Sequence, residues 1–278
     1  MDDTLNIGIL AMARPGSLPW GGTGPVLDVE RVAELAARHD VPGSEIEALA
    51  LELDVTPTRY LRNRQCISRE DQLGLLRARV AQVGLGGLGG TLLEQLLRLG
   101  VGTLRAADGD KFEASNLNRQ ALATLNGLGR DKARAARLRA AEVNPSTTLE
   151  TVSEFLTPDT LPKFLEGCAV AVDALGGLTM RGHLQRAAGA ASIPLVTGAL
   201  AGWTGYVAVV MPGQIGPADL MGEDNGGEEL LGCPAPTVNF VASLMASEVV
   251  NILTGKPTLA GKMLLADLRS HTFETVSL

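Results

Sequence analysis

Residues 84–89 read "GLGGLG", set between "RVAQV" (79–83) and "GTLLEQLLRLG" (90–100). The first flank is a short apolar run, read as a strand. The second carries Leu92, Leu93, Leu96, Leu97 and Leu99 near one helical face and is stopped by Gly100. Gly84, Gly86 and Gly89 fit G-x-G-x-x-G, with Gly87 inside the same turn. A glycine turn between strand and helix lets backbone approach phosphate, and the helix N-terminus supplies oriented N–H groups and partial positive charge. The pattern alone does not say whether the phosphate belongs to a dinucleotide that carries hydride or to a triphosphate to be cleaved.

Outward from this turn, strand and helix signals alternate. "TLRAAD" is a second strand ending in Asp108, and "RDKARAARLRAAEVNP" is a basic helix stopped by Asn144-Pro145. "TLETVSEFL" and "AVAVDAL" are further strands, with "PDTLPKFLEG" a short helix between them. "TMRGHLQRAAGAAS" is a helix and "IPLVTGALAG" a fifth strand. The alternation predicts a Rossmann-like α/β fold, its sheet mostly parallel with helices on both faces. "YVAVVMP" has no helix before it and is expected to pair antiparallel. "VNFVASLMASEVVNILTG" reads as a buried helix and "KMLLADLRSHTFETVSL" as a closing hairpin. The Gly/Pro/acid stretch between them, with "LMGEDNGGEELL" inside it, reads as a solvated loop.

Upstream, residues 1–60 are expected to form a small N-terminal arm and helical extension, and 61–278 the main domain. Residues 1–27, rich in Gly and Pro, read as an extended arm with little core of its own. "DVERVAELAARH" suits a helix capped by Asp28. "PGSEIEALALEL" suits a second, with Ser44 and Glu47 as a capping box, and "TPTRYLRNR" begins a third. The acidic balance of residues 28–54 favours a packing or dimerisation role over a nucleic-acid reader.

Composition narrows the classes of function. Of the 278 residues 45% are hydrophobic, enough for one large α/β domain with an extension. Aromatics at 3% and a formal charge of −7 disfavour stacking platforms and a basic field for nucleic acid. Cys66, Cys168 and Cys233 are scattered and form no C-x-x-C pair, so neither a disulfide framework nor a four-thiolate zinc site is expected. No secretory leader is read at the N-terminus, and no apolar run approaches the roughly 20 residues that span a bilayer. A cytoplasmic protein with no membrane partner is the expectation. His39, His183 and His271 follow no ligand spacing and read as surface or packing residues.

The stretch after the second strand, "DGDKFEASNLNRQ" (108–120), bears on the open question. It groups Asp108, Asp110, Asn116, Arg119 and Gln120, and Lys132 follows on the basic helix. An acid at Asp108 suits a ribose in either case. Convergent cations suit a triphosphate, because cleavage between the α- and β-phosphates needs charge neutralised on departing pyrophosphate. A dehydrogenase would need a positioned acid/base and a separate catalytic domain, and neither is evident.

At these residues the sequence resembles the ThiF/MoeB/HesA family, bacterial relatives of ubiquitin-activating enzymes. The resemblance covers residues 60–278 and is carried by "RNRQ" (62–65), "GLGGLG", "DGDKFEASNLNRQ", "GRDK" (129–132), "VDALGGLTMR" (172–181) and "PLVTGALAGWTGYVAVVMPG" (194–213). It implies an adenylyltransferase that uses ATP and Mg²⁺ on the C-terminal Gly-Gly carboxylate of a ubiquitin-like sulfur carrier. By position, it implies that Gly84, Gly86, Gly87 and Gly89 approach phosphate and Asp108 holds the ribose. Asp110, Asn116, Arg119, Gln120 and Lys132 would then bind the nucleotide. Arg64 matches an arginine that a partner subunit inserts into the neighbouring site, which implies a homodimer.

The chain also departs from the family pattern. D-x-x-D-N, whose second acid helps to coordinate Mg²⁺, is here "DALGG": Asp173 stands, but Gly176 and Gly177 follow. The resemblance leaves Asp173 as the metal ligand, with Asp110 or water to fill the lost place. That loss raises a second expectation, a non-catalytic scaffold that binds nucleotide or a partner. Cys233, in "GCPAP", stands where relatives often carry a nucleophilic thiol, though a lone cysteine reads first as a bystander. Trp203 and Tyr206, in "WTGYV", face either a partner's tail or the core.

Overall fold

A computed structural model describes residues 3–220 and 226–278. The chain begins with helix α1 (Asp3–Met12), followed by the strands β1 (Arg14–Ser17) and β2 (Thr23–Leu27). Helices α2 (Val29–His39) and α3 (Gly43–Glu52) precede the short strand β3 (Thr56–Pro57). The three strands form a small sheet in the order β1-β2-β3. Residues 3–27 are therefore not the extended arm the Gly/Pro content predicts. Leu5 and Ile9 of α1 close over Leu27, Val32, Leu35 and Ile46 as one apolar cluster, so the segment has a core.

The predicted caps also differ. Asp28 stands at the N-cap of α2 but its carboxylate pairs with Arg14, 2.6 Å away. Ser44 and Glu47 lie inside α3, whose N-cap is Pro42, and both are buried. "TPTRYLRNR" forms β3 and a single 3₁₀ turn rather than a helix. The next helix is α4 (Arg69–Arg77), opened by a reciprocal Ser68–Asp71 capping box that the sequence reading overlooked.

The main unit follows in order: β4 (Arg79–Val83), α5 (Gly87–Leu99), β5 (Thr103–Ala107), α6 (Lys132–Val143), β6 (Thr148–Val152), α7 (Leu161–Leu165), β7 (Val170–Asp173), α8 (Arg181–Ala190) and β8 (Leu195–Ala201). Beyond it come β9 (Thr204–Val210), α9 (Pro217–Leu220), α10 (Gly226–Leu231), α11 (Ala235–Leu253), β10 (Lys262–Asp267) and β11 (Thr272–Ser277). The stretch "LMGEDNGGEELL" lies partly outside the described residues; its described end is helical rather than loop.

One eight-stranded sheet runs β11-β10-β9-β8-β7-β4-β5-β6. From β6 through β8 every pairing is parallel, and β9, β10 and β11 add antiparallel strands at one side. Strand side chains alternate between two cores. Val80, Val170, Val172 and Val196 pack under α5, α6 and α11; Ala81, Ala171 and Leu195 pack under α7 and α8. Helix α11 is 19 residues long and apolar enough, by length and composition, to cross a membrane, contrary to the reading that no run comes close. Val238, Val241, Ala242, Met245 and Val249 are nevertheless sealed in the core, where α11 packs against α5 and β8.

A buried polar cluster joins the N-terminal unit to this sheet. Tyr60 Oη donates to Glu47 Oε2 at 2.8 Å, and Ser146 Oγ donates to Glu47 Oε1 at 3.1 Å. Arg59 Nη1 donates to the Val143 carbonyl at 2.7 Å and Asn144 Nδ2 to the Leu97 carbonyl at 2.8 Å. Burial raises the Glu47 carboxyl above its ordinary value, opposed by Tyr60 and Arg59, and burial raises the Tyr60 phenol as well.

Candidate active site

The carboxyl ends of β4, β5 and β7 meet where the strand order reverses, the place at which open α/β sheets leave a crevice. A cavity of about 490 Å³ opens there. Gly84 leaves β4 with φ +101°, and a Cβ on it would stand 2.3 Å from the Ala174 carbonyl oxygen. Only glycine fits both that dihedral and that approach. Gly86 caps α5, and Gly84, Gly86 and Gly87 line the cavity beneath the open N–H groups of the first helical turn. Gly89 does not line it. A Cβ there would lie 2.0 Å from the Gly84 carbonyl oxygen, so the third glycine serves close packing under the turn rather than ligand contact.

Gln82, which the sequence reading passed over, ties this turn together. Its buried Nε2 donates to the carbonyls of Gly84 (3.0 Å) and Gly89 (2.8 Å). The one signal was a polar residue inside an apolar strand, "RVAQV".

Asp108 ends β5 and holds the turn from the other side. Its Oδ2 accepts the Leu85 N–H at 2.7 Å, and its Oδ1 accepts the Asp110 N–H at 2.8 Å. Lys132 opens α6, and its Nζ reaches Asp110 Oδ2 at 2.9 Å with the lysine side chain 8% exposed. Asn116 lies in a 3₁₀ turn closed by its Oδ1, which accepts the Glu113 N–H. Arg119 follows, half-buried, with Nη1 donating to the Ser115 carbonyl (3.1 Å) and Asn118 Oδ1 (2.9 Å). Gln120 is buried beside Gly86, and its Oε1 has no hydrogen-bond partner among the described residues. All six of these side chains line the one cavity, joined by Glu154 and Phe155 from beyond β6, which the sequence did not single out.

Asp173 is where the structure corrects the sequence reading. It is not on the cavity wall and is 1% exposed. Its Oδ2 accepts from Arg181 Nη1 (2.9 Å) and Thr197 Oγ1 (2.8 Å), and its Oδ1 accepts the Leu175 N–H (3.1 Å). Both oxygens are hydrogen-bonded, one of them to a cation, and the side chain is buried off the cavity wall, so Asp173 has no path to substrate. Arg181 also donates to the carbonyls of Gly177 (2.9 Å), Gly198 (3.0 Å) and Leu175, which pins the β7–α8 connection. Gly176 and Gly177 of that connection line the cavity.

A magnesium ion needs hard oxygen ligands in near-octahedral array. Among the described residues, Asp173 is held by Arg181 and Thr197, Asp108 accepts two backbone N–H groups and Asp110 is paired with Lys132, which leaves Glu154 as the remaining carboxylate on the cavity wall. Among the described residues no group of three or more His, Cys, Asp or Glu could hold a metal ion.

Arg64 lies outside this cavity, half-buried, with its guanidinium 6.0 Å from the Trp20 ring centroid. Cys233 does line the cavity, just before α11. Trp203 and Tyr206 do not. Trp203 stacks under Arg269 at 5.3 Å, and Tyr206 is buried in β9.

The fold and cavity together define a Rossmann-like α/β protein with a glycine turn, an acid and two cations at its switch point. The chain belongs to the ThiF family, whose model matches residues 60–278, and it is of the adenylyltransferase type. It is 32% identical over 227 residues to the molybdopterin-synthase adenylyltransferase of Salmonella typhimurium, covering 78% of this chain and 91% of that protein. It is 34% identical over 224 residues to the sulfur carrier protein adenylyltransferase of Thermus thermophilus, covering 76% and 82%. The fold is similar to that of the microcin C7 biosynthetic enzyme MccB in complex with N-formylated MccA. There the TM-score is 0.71 at 15% identity, across 99% of this chain and 87% of that one. That span takes in the N-terminal unit, which the family match leaves out.

Proposed function

We propose that this protein adenylates the C-terminal carboxylate of a ubiquitin-like sulfur carrier, in a thiamine- or molybdopterin-type sulfur-transfer route. The observation that carries the reading is the convergence of Lys132, Arg119 and the α5 N-terminus on one cavity beside Asp108. ATP enters with its ribose toward Asp108 and its phosphates toward the glycine turn. A carrier carboxylate oxygen attacks the α-phosphorus, forming an acyl–O–P bond. The bond from that phosphorus to the bridging oxygen breaks, and its electron pair leaves with pyrophosphate. Lys132 and Arg119 stabilise the charge gathering on the leaving group, which water would otherwise have to reorganise to meet. Gln120, buried with one amide atom unpartnered, turns its amide to the bound nucleotide.

The cavity lining holds Asp108, Asp110 and Glu154 against Arg119 and Lys132, so a further cation is needed opposite a triphosphate. Arg64 of a second copy supplies it in the homodimer. The names of the Salmonella and Thermus relatives support the substrate class. The test is exchange of labelled pyrophosphate into ATP, with a small carrier ending in Gly-Gly. Exchange that requires the carrier is expected. ATP binding without exchange, across thiamine- and molybdopterin-type carriers, would leave the scaffold reading that Gly176 motivates. Mixing inactive Arg64→Ala and Lys132→Ala proteins should restore about a quarter of the activity, because half of the dimers are mixed and each has one intact site. No recovery would remove the role in trans.

A further inference from the structure

An arginine that serves a second copy must be held in place on its own subunit without being neutralised there. A carboxylate would fix it but take up its charge, as Asp173 does for Arg181. Arg64 has no such partner. Among the described residues no carboxylate pairs with it, and its Nε is buried without a hydrogen bond. What faces its guanidinium is the ring of Trp20, 6.0 Å from the centroid. An aromatic face attracts a cation through its quadrupole and carries no charge of its own.

Both members of this contact are fixed by the N-terminal unit. Trp20 sits at the tip of the β1–β2 hairpin, in "LPWGG" (18–22). The Leu18 N–H donates to the Gly22 carbonyl at 3.1 Å, and the Gly21 N–H donates to the Leu18 carbonyl at 2.9 Å. Gly21 and Gly22 take φ +105° and +78°, a region that residues with side chains rarely enter. The turn leaves one of the chain's two tryptophans 40% exposed, outside its own cavity. Arg64 lies in a run of turns after Tyr60. There the Asn63 N–H donates to the Tyr60 carbonyl at 2.9 Å, and the Ile67 N–H donates to the Asn63 carbonyl at 2.8 Å. Tyr60 in turn is tied to Glu47 of α3.

We propose that Trp20 is a positioning residue for Arg64: it orders the guanidinium of its own chain for delivery into the cavity of a second copy. The proposal rests on the reading that Arg64 acts in trans. Ordering the side chain beforehand removes rotamer entropy that would otherwise be lost when the guanidinium meets the triphosphate. It gives the N-terminal unit, most of which lies outside the ThiF match, a part in the reaction.

The experiment measures carrier-dependent pyrophosphate exchange for Trp20→Phe and Trp20→Leu, alone and in equal mixtures with other variants. W20F keeps an aromatic face and should stay within about threefold of wild type. W20L keeps apolar cover without a π face and should lose about tenfold. Mixing W20L with Lys132→Ala should recover about a quarter of wild-type activity, because the K132A chain brings an intact Trp20 and Arg64 to the other chain's intact cavity. Mixing W20L with Arg64→Ala should give no recovery, since every mixed dimer then presents a missing or ill-placed arginine. The reverse pattern, recovery with R64A and none with K132A, would put the effect of Trp20 in its own chain's cavity and overturn the proposal. W20L at the wild-type rate, or W20F as slow as W20L, would overturn it too. R64A at the wild-type rate would instead overturn the role of Arg64 in trans, and this proposal with it.

Discussion

Arg181 Nη1 stands 2.9 Å from Asp173 Oδ2, with the two side chains 2% and 1% exposed. The pair joins the end of β7 to the start of α8. Because Arg181 also binds three carbonyls, the loop that walls the cavity is held from beneath by one guanidinium. Such a pair is costly to break from one side, since the remaining charge stays buried.

Arg181→Met should therefore destabilise the protein by about 3–5 kcal/mol in urea unfolding. Adding Asp173→Asn should recover part of that loss, because no unpaired charge then remains. An R181M protein within about 1 kcal/mol of wild type would show that the network is dispensable.

The glycines should separate sharply under one chemistry. Gly89→Ala places a Cβ 2.0 Å from the Gly84 carbonyl oxygen, so the turn must shift. A loss of about 1–3 kcal/mol and of nucleotide binding is expected. Gly176→Ala meets open space and should stay within about 0.5 kcal/mol of wild type. Thermal unfolding and nucleotide titration of the two variants check this; equal losses would contradict the geometry.

Glu94 joins α5 to α6. Hydrogen bonds from Arg139 lower its carboxyl from 4.5 to about 2, with Arg98 adding to the effect and burial opposing it. A depressed carboxylate stabilises the fold in full above pH 4.5, and the gain is lost as pH falls toward 2. Solvent screens the pair, so about 0.5–1 kcal/mol is at stake. Glu94→Gln should be less stable than wild type at neutral pH, with the gap closing across that window. A constant gap in acid denaturation would exclude the linkage.

Glu47 has the opposite sign. Burial raises its carboxyl above 4.5, so the folded state keeps the proton that the unfolded state releases. Its contribution therefore falls as pH rises from 4.5 toward the folded value. Glu47→Gln retains an acceptor for Tyr60 and does not titrate. Its stability relative to wild type should improve through that rise, as measured by urea unfolding at a series of pH values; no relative change would refute it. Tyr60→Phe removes the donor at 2.8 Å and should cost about 1–3 kcal/mol.

Local patterns were readable wherever neighbours along the chain decide the outcome. The run from "RVAQV" through the glycine turn to Leu99 folds as read, because strand, turn and helix each meet their own requirements within a few residues. The same logic misled at Ser44 and Glu47. Their spacing satisfies a capping box, yet Glu47 turns inward to Tyr60 and Ser146, partners 13 and 99 residues away. The real box at Ser68–Asp71 was equally visible and was missed. Helix α1 escaped notice because its core is supplied by α2 and α3.

By itself the amino-acid sequence determined the succession of strands and helices, the glycine turn at the head of α5, and the charged residues available after β5. Those follow from backbone sterics and side-chain periodicity, which act over short distances along the chain. Only the tertiary structure decided which charged residues line the cavity and which are buried away from it. Lys132 reaches the cavity, whereas Asp173 is spent on Arg181. That choice depends on desolvation and on distances between elements that meet only when the sheet has formed, and no spacing along the chain encodes it.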